Sequence, residues 1–203
     1  MMTTQKMVVT LLALPMLLGA CGATSTGAGS AKISGKEGTA SAVHALSSPT
    51  ATSADRASAR SDVSDHSETC RHGGTARLHG FSYSVEVLNP SVTVTFTLTL
   101  DRCGLASSSR GDALYTGDVV VTQKVYALRG TTAQRYRGTL LVGGAFDDTL
   151  DVDVTETEGL SDLTRTGALS VTLDGTAKTS RASHTFAEIH EVNCDSVAVE
   201  DNQ

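Results

Sequence analysis

Thiols and imidazoles are the side chains of this 203-residue chain whose types are best suited to chemistry. Cys70-x-His72, His79, His184, His190 and Cys194 supply the donors that zinc and copper take. Their spacing matches no closed structural site of the Cys-x2-Cys with His-x3-His kind, and an oxidising compartment turns thiols into disulfides. Solvent-exposed histidines, with no native metal and no cofactor, are the expectation. Carboxylates concentrate in Asp147-Asp148-Thr149-Leu150-Asp151-Val152-Asp153. A calcium loop needs convergent oxygens and usually a glycine at its tight bend, which this run lacks; alternation also turns Asp148 away from Asp151 and Asp153.

Nucleophile and phosphate motifs fare no better. No Gly-x-Ser-x-Gly elbow is present, and a Ser/His/Asp triad is spatial, so serines this numerous cannot argue for one. Ser34-Gly35-Lys36-Glu37 matches the end of a phosphate-binding loop only in part. Ser30 stands where the first glycine belongs, Glu37 replaces Ser or Thr, and no strand is expected before it. Arg110-Gly111-Asp112 spells an integrin-binding tripeptide and is read as a turn in a polar loop. A net charge of −6 with no dominant basic stripe argues against nucleic acid as a partner. The chain is therefore expected not to be an enzyme.

The elements that would position these groups are strands. Phe81, Tyr83, Val85 and Val87 alternate with Ser82, Ser84 and Glu86; Val92, Val94, Phe96, Leu98 and Leu100 alternate with threonines. Leu150, Val152 and Val154, and then Leu169, Val171 and Leu173, repeat the pattern. Period two marks half-buried antiparallel strands. Turn signals fall at Asn89-Pro90-Ser91, Gly143-Gly144 and Asp174-Gly175. Residues 70–203 thus read as one all-β domain, an antiparallel meander of about 7–8 strands forming a closed barrel or a two-sheet sandwich. A hairpin centred near Gly144 sets Arg137 against Asp151, Arg135 against Asp153 and Tyr136 beside Val152, a cross-strand salt ladder over an apolar row.

Residues 21–69 differ in kind. Ser, Thr, Ala and Gly make up about two-thirds of Gly22–Thr69, and no aromatic residue precedes Phe81. Such a segment buries too little apolar surface to offset chain entropy and is expected to be a disordered linker; a weak helix around Ala40–Leu46 is the alternative, without sustained periodicity to support it. Upstream, Lys6 precedes an apolar run from Met7 to Leu18, too short for the roughly 20 residues that span a bilayer. It ends in Leu18-Gly19-Ala20-Cys21, which resembles the lipobox of bacterial lipoproteins. That resemblance implies a signal peptide over residues 1–20, cleavage before Cys21, diacylglycerol on its thiol and acylation of the new amine. Gly22 leaves no aspartate of the kind that retains lipoproteins at an inner membrane. The expected address is the cell envelope: the outer membrane where there are two, otherwise the outer face of the cell membrane.

Cys70, Cys103 and Cys194 remain as disulfide candidates, and three thiols permit three single-bridge pairings. Cys70 and Cys103 bracket the first hairpin, and Gly73-Gly74 can bend the chain between them, so this pair is favoured. Cys194 is then a spectator or an intermolecular link. Cys70-Arg-His-Gly-Gly-Thr, with the strand-ending Leu100-Asp101-Arg102-Cys103, is similar to uncharacterised β-rich exported bacterial lipoproteins. The similarity implies no activity. The expected function is a lipid-anchored, non-catalytic binding or structural module of the cell envelope, touching the membrane through Cys21 and partnering an envelope protein or polysaccharide. The alternative is a carrier holding a small apolar ligand inside a β-barrel.

Overall fold

The structure, a computed structural model, describes residues 31–49, 65–88, 90–108, 110–126, 131–159, 169–192 and 199–200. Its elements in chain order are β1 (Lys32–Ile33), α1 (Gly35–His44), β2 (His66–Thr69), β3 (Thr75–Glu86), β4 (Ser91–Ser108), β5 (Gly111–Tyr126), β6 (Thr131–Gly144), β7 (Asp148–Gly159), β8 (Leu169–Thr179), β9 (Ser183–Val192) and β10 (Val199–Glu200). Strands β2 to β9 form one antiparallel sheet whose spatial order is the chain order, and β1 pairs separately with β10. The expected meander is present. Neither expected closure is: the eight strands form a single sheet that does not close into a barrel. The enclosed space on which the carrier alternative depended is lost with the barrel.

Directly opposed residues in antiparallel ladders share a face. Leu78, Leu98, Val119, Gly138, Val152 and Ala177 therefore make one row across six strands, and Phe96, Val121, Tyr136, Val154, Gly175 and Phe186 make the next. These side chains are the buried core, each of the larger ones worth roughly 1.5–3 kcal/mol relative to exposure. Threonines and charged residues hold the alternate positions on the other face, as in Thr99–Asp118 and Arg135–Asp153.

Helix α1 covers part of the core face, lying against β7, β8 and β9. This corrects the linker expected over residues 21–69, since residues 31–49 within it are folded. Gly38, Thr39, Ala40, Ala42 and Val43 are buried, as are Ala31, Ile33 and Leu46 around the helix. Small side chains let a backbone approach a sheet closely, so this helix needs no stripe of large apolar residues to be anchored. Residues 1–20 and 50–64 lie outside the described residues, as do Cys21 and Cys194.

Two expected turns are displaced. Between β6 and β7 the register is Arg137 opposite Asp153, Arg135 opposite Thr155 and Tyr136 opposite Val154, two residues from the expected pairing. Phe146 N–H reaches Gly143 C=O at 3.4 Å across the turn, and other chain segments bond to Ala145 and Asp147. Ala31 donates to Ala145 C=O at 2.8 Å and accepts from Asp147 N–H at 3.0 Å, while Ala145 N–H reaches Asp112 C=O at 2.9 Å. A two-residue slip preserves both faces. The salt ladder therefore survives diagonally, with Arg135 Nε 2.9 Å and Nη2 3.1 Å from the two Asp153 oxygens. Asp174-Gly175 is not a turn at all but lies inside β8, and the β8–β9 turn closes at Thr179–Ala182. Gly175 is required there for another reason. Its φ is +129°, and a Cβ would sit 2.2 Å from Asp153 C=O on the neighbouring strand.

Candidate functional site

Four places concentrate polar chemistry or uncovered apolar surface. The first is the turn between β2 and β3. Gly73 and Gly74 both have positive φ, and a Cβ on Gly74 would collide with Arg102 C=O. Cys70 N–H donates to Gly74 C=O at 3.1 Å, and His72 N–H to Gly104 C=O at 3.1 Å. The turn is thereby laid on β4 and locked by the Cys70–Cys103 disulfide, whose Cα atoms are 5.4 Å apart. Beside it opens a cleft of about 380 Å³ bordered by His72, Thr75, Asp101, Arg102 and Leu114. Arg102 adopts a φ of +47° where β4 bulges, and its N–H donates to Thr116 Oγ1 at 3.2 Å.

His72 Nδ1 lies 3.5 Å from Asp112 Oδ1, the pairing that orients an imidazole for base catalysis. Its other ring nitrogen, the one a substrate would have to reach, is buried and without a hydrogen-bond partner. Among the described residues no hydroxyl or thiol is hydrogen-bonded to His72, and Cys70 is consumed by the disulfide. The arrangement orients an imidazole without presenting it.

The second place is within the core. His44 Nδ1 at the end of α1 meets Glu156 Oε1 of β7 at 2.6 Å, with both residues buried. Glu156 Oε2 has no hydrogen-bond partner. Gln134 stands directly opposite Glu156 on β6 and accepts a hydrogen bond from Tyr136 Oη at 3.0 Å. Nearby, Tyr115 Oη donates to Ala42 C=O at 3.3 Å, and burial pushes this phenol well above its ordinary pKa. Sequence reasoning missed this group. A signal was present, since Val152, Val154 and Glu156 share one parity and an acid on the core parity of a strand calls for a buried partner.

Asp148 is a third polar centre, and a structural one. Its Oδ2 accepts from Ile33 N–H at 3.0 Å, and Oδ1 accepts from Thr149 and Ser180 N–H at 2.8 Å each. Burial pushes the carboxyl up, but the Ser180 hydrogen bonds, then those from Ile33 and Thr149, outweigh it and hold the pKa below the ordinary value. One carboxylate thus joins β7, the β8–β9 turn and β1.

Among the described residues, the metal-type donors named from sequence are dispersed. His79 Nε2 bonds Thr99 Oγ1 at 2.9 Å, His184 stands opposite Ala177, and His190 holds the ladder position opposite Val171. No three His, Cys, Asp or Glu residues converge among the described residues. Ser34-Gly35-Lys36-Glu37 opens α1 directly after the short β1, a strand not expected there. Lys36 Nζ lies 5.6 Å from the Phe186 ring centroid, and Glu37 places a carboxylate in the first helical turn. Arg110-Gly111-Asp112 belongs to the β4–β5 turn and the first residues of β5, with Ser108 Oγ donating to Gly111 C=O at 3.0 Å.

The remaining feature is apolar. Beyond Phe96 the core face continues into Tyr83 opposite Val94 and Val85 opposite Val92. Phe81 packs on Phe96 with centroids 5.2 Å apart, but Tyr83 is 78% exposed, Val85 62% and Val87 84%, and Leu88 is fully exposed. The β3–β4 hairpin therefore carries core-type alternation out into solvent. No family model, curated protein or solved structure matches the chain.

Proposed function

We propose that this chain is a lipid-anchored cell-envelope protein that acts as a non-catalytic binding or structural module. Acyl chains on Cys21 hold it at the membrane, after removal of residues 1–20 as a signal peptide. Its address is the outer membrane in a two-membrane bacterium and otherwise the outer face of the cell membrane. Its partner is an envelope protein or polysaccharide. The leader ending in Leu18-Gly19-Ala20-Cys21 supports the address, and two or more acyl chains suffice for stable anchoring.

The observation that carries the binding role is the exposure of Tyr83, Val85, Val87 and Leu88 on one hairpin. A contiguous apolar surface rimmed by polar residues marks an interaction site. The test places a photo-crosslinking residue at Leu88 or, as control, at the exposed Lys178, in the bacterial envelope. Adducts from Leu88 but not Lys178, with palmitate labelling abolished by Cys21→Ser, are the expected result. Equal adducts from both positions, or a chain that takes no label and washes free of membranes, overturn the proposal.

A further inference from the structure

Strand β3 has two edges, and they are treated differently. One pairs with β4 along its whole length, interrupted by a bulge at Gly80-Phe81. The other is covered by β2 only over Thr75–Leu78. Among the described residues no strand pairs with that second edge over Ser82–Glu86. Natural sheets blunt such edges with prolines, lysines or inward-pointing charges, because an open edge recruits another strand. Ser82-Tyr83-Ser84-Val85-Glu86 contains neither proline nor lysine. Its single charge, Glu86, is on the outer face and paired with Lys124 Nζ at 3.2 Å.

The same five residues are self-complementary. Antiparallel pairing of two identical strands about an axis through Ser84, the midpoint of the segment, sets Ser84 opposite Ser84 of the partner subunit. Tyr83 then faces the partner's Val85, and Ser82 faces the partner's Glu86. Every apolar residue meets an apolar one, and neither glutamate meets a glutamate. Shifting by a single residue would set Tyr83 or Val85 against serine, which the faces of a sheet do not tolerate. Resting on the interaction surface proposed above, we infer that its partner is a second copy of this chain, joined edge to edge through β3 in a two-fold symmetric dimer. Two eight-stranded sheets become one, in an isologous interface built from a single patch. Across the junction Val92, Val85, the partner's Tyr83 and the partner's Val94 line up as one apolar row, extending the core face through the dimer. The exposed alternation of β3 then has the role that the same alternation has in the other strands.

The test uses the exported chain with Cys21→Ser and Cys194→Ser, which leaves the Cys70–Cys103 bridge and removes other thiols. Sedimentation equilibrium in the micromolar range is expected to give twice the mass of one chain. Val85→Lys is expected to weaken association by about tenfold or more while leaving the far-ultraviolet circular dichroism unchanged, because the Val85 side chain is exposed. Adding Ser84→Cys is expected to give a disulfide-linked dimer on mild oxidation, since residues opposed across a two-fold axis lie within disulfide reach. Ser82→Cys, opposed to glutamate, is expected to give none. A parent chain of single mass throughout the micromolar range overturns the inference. So does a dimer that Val85→Lys leaves intact and Ser84→Cys fails to link. A single-mass chain that still gives the Leu88 adduct to another envelope component removes this inference alone and leaves the proposed function standing.

Discussion

His44 and Glu156 are held 2.6 Å apart in the core, the first on α1 and the second on β7. The contact joins a segment of small residues to β7, and it does so with polar atoms where the neighbouring rows use aliphatic ones. Removing one partner of such a pair strands the other, at a cost of about 3–5 kcal/mol, whereas replacing both with apolar groups of similar size is close to neutral. His44→Ala is therefore expected to lower the urea midpoint far more than His44→Leu combined with Glu156→Leu. Equal losses for the two variants would show that the pair is not coupled.

Asp148 predicts an acid sensitivity with a definite sign. Its pKa is lower folded than unfolded, so it stabilises the fold at pH values above the ordinary carboxylate range. That contribution is lost as pH falls through the depressed folded value. Asp148→Ala, which removes acceptors for the Ile33, Thr149 and Ser180 N–H groups, is expected to cost about 2–4 kcal/mol at neutral pH. Denaturant titrations between neutral and strongly acidic pH should show the gap between variant and parent narrowing as the acid limit is reached.

Tyr115 acts at the other end of the scale. Burial raises its pKa above the unfolded value, so the folded state loses stability once pH exceeds about 10, where the unfolded phenol begins to ionise. Tyr115→Phe is expected to cost about 1 kcal/mol at neutral pH, through loss of the bond to Ala42 C=O, and to flatten part of the alkaline decline. Phenolate absorbance followed alongside circular dichroism separates this tyrosine from the exposed Tyr83.

The Cys70–Cys103 bridge closes a separation of 33 residues, worth roughly 3–4 kcal/mol in the chain-entropy model. Cys70→Ser with Cys103→Ser is expected to lose that much and to release the β2–β3 turn first. Hydrogen exchange should show the Cys70 and His72 amides, both bonded within this turn and to β4, losing protection before the amides of β5 and β6.

Strand identity was legible wherever residues alternate against a covered face. The runs at Val92–Leu100 and Leu150–Val154 lie where the pattern puts them, and the bracketing cysteines pair as the first hairpin suggested. Registers were less legible, because a turn is chosen by what else bonds to it. Gly143-Gly144 reads as the centre of a hairpin, yet Ala31 and Asp112 bond Ala145 and Asp147 and the pairing centres one residue later. Asp174-Gly175 reads as a hairpin, but its glycine is needed for a close approach to β7. Helix α1 was illegible in periodicity because its buried residues are small on nearly every side. The β3 alternation misled in the opposite sense, since period two reports that side chains share a face and not that anything covers it.

The grip of Ala31 on the turn between β6 and β7 has a consequence for reach. The described residues begin ten positions after Cys21, and ten residues span at most about 35 Å when fully extended. On the proposed envelope address, a lipid on Cys21 tethers the sheet on a short leash. Encounters are confined to a thin layer above the bilayer, and molecules diffusing in the same membrane meet it at high effective concentration. Any pull along the leash is delivered first to the centre of the meander, through the Ala31 bonds and the Asp148 carboxylate, and only afterwards to its edges.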